Sequence, residues 1–222
     1  MLLGLFGAWL RRTGAGRLHT AQNGEAALAA MKEELFDILV TDIRMPVMDG
    51  VTLVRSLAAA GISVPVIIFV SGFGDIDVRE MYSLGVEAFL SKPVLRDELI
   101  SVLKRAVVER SAVWSEAMPT KPRQSLESHL ARIDVGPDAP FCLGRGGFSV
   151  RSLKPLSLGK ISFRFTFESL QWQIVGEGYV RWYSRVTQTA GIEFAYLDLT
   201  CRSSVVDIIS ATKPRSFIPD CS

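Results

Sequence analysis

Residues 37–50 read D-I-L-V-T-D-I-R-M-P-V-M-D-G, and this stretch decides the fold of the first half of the chain. Its apolar run, I-L-V, is typical of a strand buried on both faces of a parallel sheet. The run leads to Asp42, at the end of the strand where open α/β sheets bind ligands. The Met-Pro pair interrupts regular backbone, and the Asp-Gly pair predicts a turn before a helix. The stretch therefore predicts one carboxylate on a tight loop above a sheet.

Two further polar residues follow strand-like runs in the same way. V-I-I-F-V leads to Ser71, and A-F-L-S leads to Lys92. Helical periods at 26–35, 51–60, 76–84 and 95–114 separate these runs, so the pattern predicts an α/β fold with a parallel sheet. A lone Asp or Ser after a strand is more often a turn residue or a helix cap. The joint spacing is what predicts that Asp42, Ser71 and Lys92 meet at one edge of the sheet.

The segments T-D-I-R-M-P-V-M-D-G, F-V-S-G and F-L-S-K-P resemble the receiver domain of two-component response regulators, a flavodoxin-like fold, over residues 18–109. The resemblance implies that Asp42 accepts a phosphoryl group from a sensor histidine kinase. It implies Lys92 as the neutralising charge, Ser71 as a donor to the phosphoryl oxygens and Phe89 as an aromatic switch. Asp42 and the carbonyl of Arg44 would be ligands of Mg²⁺.

The N-terminal part of the chain differs from the receiver pattern. Receivers begin with a strand that ends in paired acidic residues, which hold the metal ion, but the first acidic residue here is Glu25. We therefore expect a receiver sheet that lacks its first strand, preceded only by a short helix at 2–12 and a brief strand at 18–21. Either the recorded start lies downstream of the true one, or the receiver is degenerate and kept for packing or dimer contacts.

The second half has a different pattern. Residues 115–128 have the Pro, Ser and Thr content of a linker, which divides a receiver-like domain at 1–114 from a second domain at 129–222. From residue 160 the sequence I-S-F-R-F-T-F alternates as a strand with one buried face. Further alternating runs and a helix at 200–209 predict a small antiparallel β-barrel with a closing helix.

The runs C-L-G-R-G-G-F and G-I-E-F-A-Y-L-D resemble a PilZ domain over residues 124–211. PilZ domains often bind cyclic di-GMP through paired arginines and a turn that carries Asp or Asn and then Ser. Here Cys142 and Gly144 stand in that turn, and no second arginine follows Arg123 at the required spacing. We expect the fold without strong cyclic di-GMP binding. Weak binding through Arg123, Arg132 and Arg145 is the minority interpretation.

Charge, cysteine content and hydrophobicity indicate the cellular location and the kinds of partner. A net charge of +2 does not predict a nucleic-acid partner. The three cysteines have no metal-like spacing, and their odd number argues against a disulfide framework, so we predict a reducing, cytoplasmic location. The apolar residues 1–10 follow no basic residue and are too few to span a bilayer, so no stable membrane insertion is expected.

The sequence thus predicts a response regulator that signals through a PilZ-like output domain. Two alternatives stay open: a degenerate interaction module that is not phosphorylated, and a cyclic di-GMP receptor. A homodimer formed through the receiver would fit either role. No enzymatic activity is expected, because the sequence holds no Walker loop, metal-ligand cluster or Ser-His-Asp set.

Overall fold

The computed structural model describes residues 17–63, 66–72, 77–108, 110–116, 118–120, 122–130 and 140–221. They form two compact units, Met1–Asp75 with Val86–Val107, and Ile76–Gly85 with Val108–Ser222. The predicted helix at 2–12 and the predicted binding residue Arg132 lie outside the described residues.

The helices and strands of both units follow in chain order. They are α1 (Gly24–Glu33), β1 (Ile38–Asp42), α2 (Gly50–Ala59), β2 (Val66–Ser71), α3 (Val78–Ser83), β3 (Val86–Ser91), α4 (Arg96–Val107), α5 (Arg110–Val113), β4 (Gln124–Leu130), β5 (Phe141–Leu143), β6 (Gly147–Arg151), β7 (Gly159–Phe167), β8 (Trp172–Ser184), β9 (Thr189–Leu197) and α6 (Leu199–Thr212).

The first unit contains a parallel sheet in the order β1-β2-β3. All five apolar residues of β2 are buried, as its uninterrupted V-I-I-F-V sequence predicts. Leu99 of α4 packs in one apolar cluster with Ile68 and Leu90 of this sheet. The parallel α/β prediction is confirmed for this unit. The brief strand predicted at 18–21 is wrong, because these residues form neither helix nor strand.

Short polar side chains fix where several helices begin. Asn23, Asp49, Asp77 and Asp198 each precede a helix and accept hydrogen bonds from backbone N–H groups of its first turn. These N–H groups have no partner inside the helix, so a capping oxygen stabilises the start.

The second unit contains a six-stranded sheet in the order β4-β7-β8-β9-β6-β5. β4 and β7 pair in parallel, and the other neighbours are antiparallel. The predicted antiparallel barrel is therefore corrected to a mixed, half-barrel sheet. Alternation identifies the buried face of a strand but not the direction of its partner. β4 begins at Gln124, inside the range 115–128 whose composition predicts a linker.

Aromatic side chains fill the core of the second unit. Phe163, Phe165 and Phe167 are buried, as their alternation along β7 predicts. Trp114 joins this core and packs edge-on against Phe194, with 5.1 Å between ring centroids. The single helix predicted at 95–114 is divided into α4 and α5, and its last residue contributes to the core of the second unit.

The structure joins Cys142 and Cys221 in a disulfide, with 6.4 Å between their Cα atoms. The prediction against a disulfide is wrong for these two, because an odd number of cysteines still allows one pair and one free thiol. Cys201 is a buried free thiol. No helix in the described part of the chain is long and apolar enough to cross a membrane.

Candidate phosphoryl-accepting site

Parallel pairing brings three predicted residues to one edge of the first sheet. Asp42 ends β1 and lies opposite Val70, while Ser71 ends β2 and lies opposite Ser91. Lys92 follows β3 directly, and its backbone N–H donates to the carbonyl of Ser71 over 2.7 Å. The carboxyl ends of the three strands therefore present a carboxylate, a hydroxyl and an ammonium group together.

Asp42 is held by two neighbours. Its Oδ2 forms an ion pair with Nζ of Lys92, and its Oδ1 accepts a hydrogen bond of 3.1 Å from the backbone N–H of Arg44. The side chains of Asp42 and Lys92 are 28% and 31% exposed, so the pair is partly screened by solvent and still open to a reactant. The ion pair holds the carboxylate in place and supplies the positive charge that a phosphoryl group would need.

Ser71 and Phe89 lie on the neighbouring strands β2 and β3. The hydroxyl of Ser71 donates to the carbonyl of Gly72 over 2.6 Å. Phe89 contacts Phe69 edge-on, with 6.3 Å between ring centroids. A hydroxyl rotates easily, so Ser71 can exchange its bond to Gly72 for one to a bound oxyanion.

The loop after β1 is built from backbone contacts. Gly50 donates to the carbonyl of Ile43 over 2.9 Å, and Gly24 donates to the carbonyl of Met48 over 3.1 Å. A methyl group on Gly50 would overlap the carbonyl oxygen of Asp42, which explains why the D-G pair of the sequence is needed here.

The residues described do not provide a binding site for Mg²⁺. Mg²⁺ prefers several oxygen ligands in octahedral geometry, with carboxylates foremost. No cluster of three or more His, Cys, Asp or Glu residues suited to a metal occurs in the described ranges, and the sequence has no acidic residue before Glu25. Asp42 and the carbonyl of Arg44 are the predicted ligands present, and these two groups fall short of a Mg²⁺ site.

Two of the arginines predicted to bind cyclic di-GMP, Arg123 and Arg145, lie next to different strands of the second sheet. Arg123 is exposed and precedes β4, whereas Arg145 lies in the turn after β5, and these strands are the two edges of the sheet. The guanidinium of Arg145 donates to the carbonyls of Arg215 and Gly85, over 3.2 Å and 3.0 Å. Two of its donors are thus engaged within the chain.

The sequence did not identify two features of these regions. The backbone N–H of Arg44 donates a hydrogen bond to Asp42. Residues 215–217 contact the glycine-rich turn that follows β5. Neither feature has a sequence signature, because backbone groups are common to all residues and the tail residues form no periodic pattern.

The cap of α2 gives a pH-dependent prediction. The backbone N–H of Thr52 donates to Asp49 over 2.7 Å, and this bond holds the pKa of Asp49 below its usual value. Replacing Asp49 with Ala should lower the free energy of unfolding by about 1 kcal/mol at neutral pH. Because the folded pKa is lowered, the stabilisation is present above the unfolded pKa and is lost as pH falls through the folded pKa.

Urea unfolding at neutral and at acidic pH would measure this effect. The difference between the parent protein and Asp49→Ala should shrink on acidification. Asp49→Asn is the matched control, since the amide still caps the helix and does not titrate in this range. A difference that stays constant down to strongly acidic pH would contradict the assignment.

Comparison with known proteins finds similarity in the first part of the chain. Residues 1–104 match the family model of the response regulator receiver domain. The uncharacterised transcriptional regulatory protein YesN of Bacillus subtilis is 35% identical over 97 residues, which are 43% of this chain and 26% of YesN. The DNA-binding transcriptional regulator NtrC of Salmonella typhimurium is 36% identical over 89 residues, 40% of this chain and 19% of NtrC.

The receiver domain of NtrX from Brucella abortus, a crystal structure, is 27% identical with a TM-score of 0.42, and the alignment covers 46% of this chain and 87% of that one. The matched region spans only about a fifth to a quarter of the two regulators YesN and NtrC. The match therefore does not assign the activities of those whole proteins to this chain. The family match covers the part of the chain that holds Asp42, Ser71 and Lys92. By this match, residues 1–104 of this chain are similar to response regulator receiver domains.

Proposed function

We propose that this chain is a two-component response regulator in which Asp42 accepts a phosphoryl group from a sensor histidine kinase. The observation that carries the proposal is the Asp42–Lys92 ion pair at the sheet edge that also presents Ser71, within the segment that matches the receiver family. A kinase partner is the norm for receiver domains, and the proposal extends it to this chain.

In the proposed step, a carboxylate oxygen of Asp42 bonds to phosphorus while the bond from phosphorus to the imidazole nitrogen of the kinase breaks. The negative charge on the phosphoryl oxygens is balanced by the ammonium of Lys92, which acts as a point charge. Ser71 then turns from the carbonyl of Gly72 to the new oxyanion. Phe89, two positions before Ser91 in the neighbouring strand, is the residue proposed to move with it.

We propose the second unit as a PilZ-like output domain. Its glycine-rich turn at 143–147, its phenylalanine-lined β7 and its final helix α6 support this proposal. Since the guanidinium of Arg145 is engaged by Gly85 and Arg215, we do not extend the proposal to cyclic di-GMP recognition. We propose that α3 links phosphorylation of the receiver to the second unit. This helix lies in the chain between β2 and β3, yet it groups with the second unit.

A second candidate is a degenerate interaction module that is never phosphorylated. The observation that favours it is the lack of acidic metal ligands beside Asp42 in the described ranges. The ion pair with Lys92 is compatible with this candidate too, because it would also stabilise an unreactive carboxylate. The predicted cytoplasmic location and receiver-mediated homodimer are common to both candidates and stay predictions.

Exposure to a small-molecule phosphodonor separates the two candidates. The full chain, with acetyl phosphate and Mg²⁺, should gain one phosphoryl group that hydroxylamine removes, as measured by intact mass. The same assay with a chelator, and with any upstream coding sequence restored, tests the contribution of further metal ligands. Failure of both forms of the chain to gain a phosphoryl group would refute the proposed function and favour the interaction module.

A further inference from the structure

An irregular segment at residues 215–221, the tail segment, belongs to the second unit. This tail segment follows α6 and contains no helix or strand. Phe217, Ile218 and Cys221 are nevertheless buried, at 3%, 0% and 3% exposure. A segment without regular structure that buries three apolar side chains must be held by specific contacts.

One side of the tail segment contacts α3. The backbone N–H of Phe217 donates to the carbonyl of Tyr82 over 3.0 Å, and the hydroxyl of Ser216 donates to the carbonyl of Ser83 over 2.7 Å. The rings of Phe217 and Tyr82 stack with 5.9 Å between centroids. An ion pair of 3.2 Å between Arg79 and Asp220 completes the contact.

The other side of the tail segment contacts the turn at 143–147. The backbone N–H groups of Arg145 and Gly146 donate to the carbonyls of Ser216 and Phe217, each over 2.9 Å. A methyl group on Gly146 would overlap the ring of Phe217, so the glycine makes room for this aromatic side chain. The tail segment is therefore a bridge between the turn and α3.

The disulfide closes this bridge at its end. Cys142 belongs to β5, directly before the turn, and Cys221 ends the tail segment. Both side chains are buried, at 4% and 3% exposure, so a reductant reaches them only when the segment opens locally. The third cysteine, Cys201, does not compete, because burial raises the pKa of its thiol and keeps it protonated.

We propose that Cys142 and Cys221 form a thiol–disulfide latch that controls whether the tail segment holds α3 and the turn at 143–147 together. In closing, the two thiols lose two electrons and two protons and form the S–S bond, while a small-molecule or protein disulfide is reduced to two thiols. In opening, a dithiol attacks the S–S bond, passes through a mixed disulfide, and leaves two protein thiols and its own disulfide.

Counting free thiols tests whether the Cys142–Cys221 disulfide forms and breaks reversibly. The full chain is equilibrated in glutathione buffers of increasing oxidising strength, denatured in acid, alkylated and weighed. The proposal expects three alkylated thiols under reducing conditions and one, Cys201, under oxidising conditions. Cys201→Ala is the matched control, which should lower each count by one and keep the same transition. Three thiols in every buffer would overturn the proposal.

Amide hydrogen exchange tests whether reduction of the disulfide loosens the tail segment and its contacts. On reduction, amides in α3, the turn at 143–147 and the tail segment should exchange at least tenfold faster, while amides of β7 and β8 stay unchanged. Cys221→Ser should show the fast pattern in all buffers, and reduction of the parent protein gives the same readout without mutation. Equal exchange in both states, or equal loosening of β7 and β8, would overturn the latch. Neither readout depends on phosphorylation of Asp42.

Discussion

Replacing Asp42 with asparagine is expected to abolish phosphoryl uptake from both acetyl phosphate and a kinase. A carboxamide has the shape of the carboxylate, but its oxygen carries no charge and is a poor nucleophile towards phosphorus. The substitution also removes the charge partner of Lys92, whose ammonium is ion-paired with Asp42 in the structure. Phosphoryl incorporation, followed by intact mass, should fall from one group per chain to none.

The matched control is Asp97→Asn, an exposed aspartate in the first turn of α4. This variant should take up as much phosphoryl group as the parent protein, because its side chain is 96% exposed and its contact is with neighbouring Arg96. Circular dichroism of both variants verifies the fold. Full incorporation by Asp42→Asn would place the acceptor elsewhere and remove the basis of the proposed mechanism.

Replacing Phe148 with alanine should produce the largest loss of stability. Phe148 is fully buried, and its ring lies 5.0–5.4 Å from the rings of four other phenylalanines, centroid to centroid: Phe141, Phe163, Phe165 and Phe194. Truncation of such a side chain leaves a cavity and removes aromatic contacts, which together cost about 3–5 kcal/mol.

Urea unfolding followed by tryptophan fluorescence measures this loss in the second unit, where Trp114, Trp172 and Trp182 lie. Leu170→Ala serves as the control, because Leu170 is 56% exposed and its truncation should change the free energy of unfolding by less than about 0.5 kcal/mol. A similar small effect for Phe148→Ala would show that the phenylalanine cluster is not the core.

The sequence predicted the features that depend on local periodicity. The uninterrupted apolar run of β2 identified a strand buried on both faces, and alternation along β7 identified its buried side. The convergence of Asp42 and Lys92 followed from parallel topology, because each residue ends or follows a strand of the same sheet. These inferences use only the repeat of the backbone and the exclusion of apolar groups from water.

The sequence could not predict features that depend on which distant segments meet. No pattern within β4 or β7 states that they pair in parallel. Trp114 has the spacing of an α4 residue and yet contributes to the core of the second unit. The approach of Cys142 and Cys221 results from the path of the entire second unit, over a separation of 79 residues. Such contacts are selected by the total packing energy rather than by local preference.

The strand order of the second sheet also has a consequence for how that unit folds. Three of its four central strands, β7, β8 and β9, are joined by short connections, whereas β4 and β5 come first in the chain and occupy the outer positions. Because closing a short loop costs less entropy than closing a long one, the β7-β8-β9 meander is expected to form the nucleus. During synthesis, β4 is therefore expected to stay unpaired until β7 has left the ribosome.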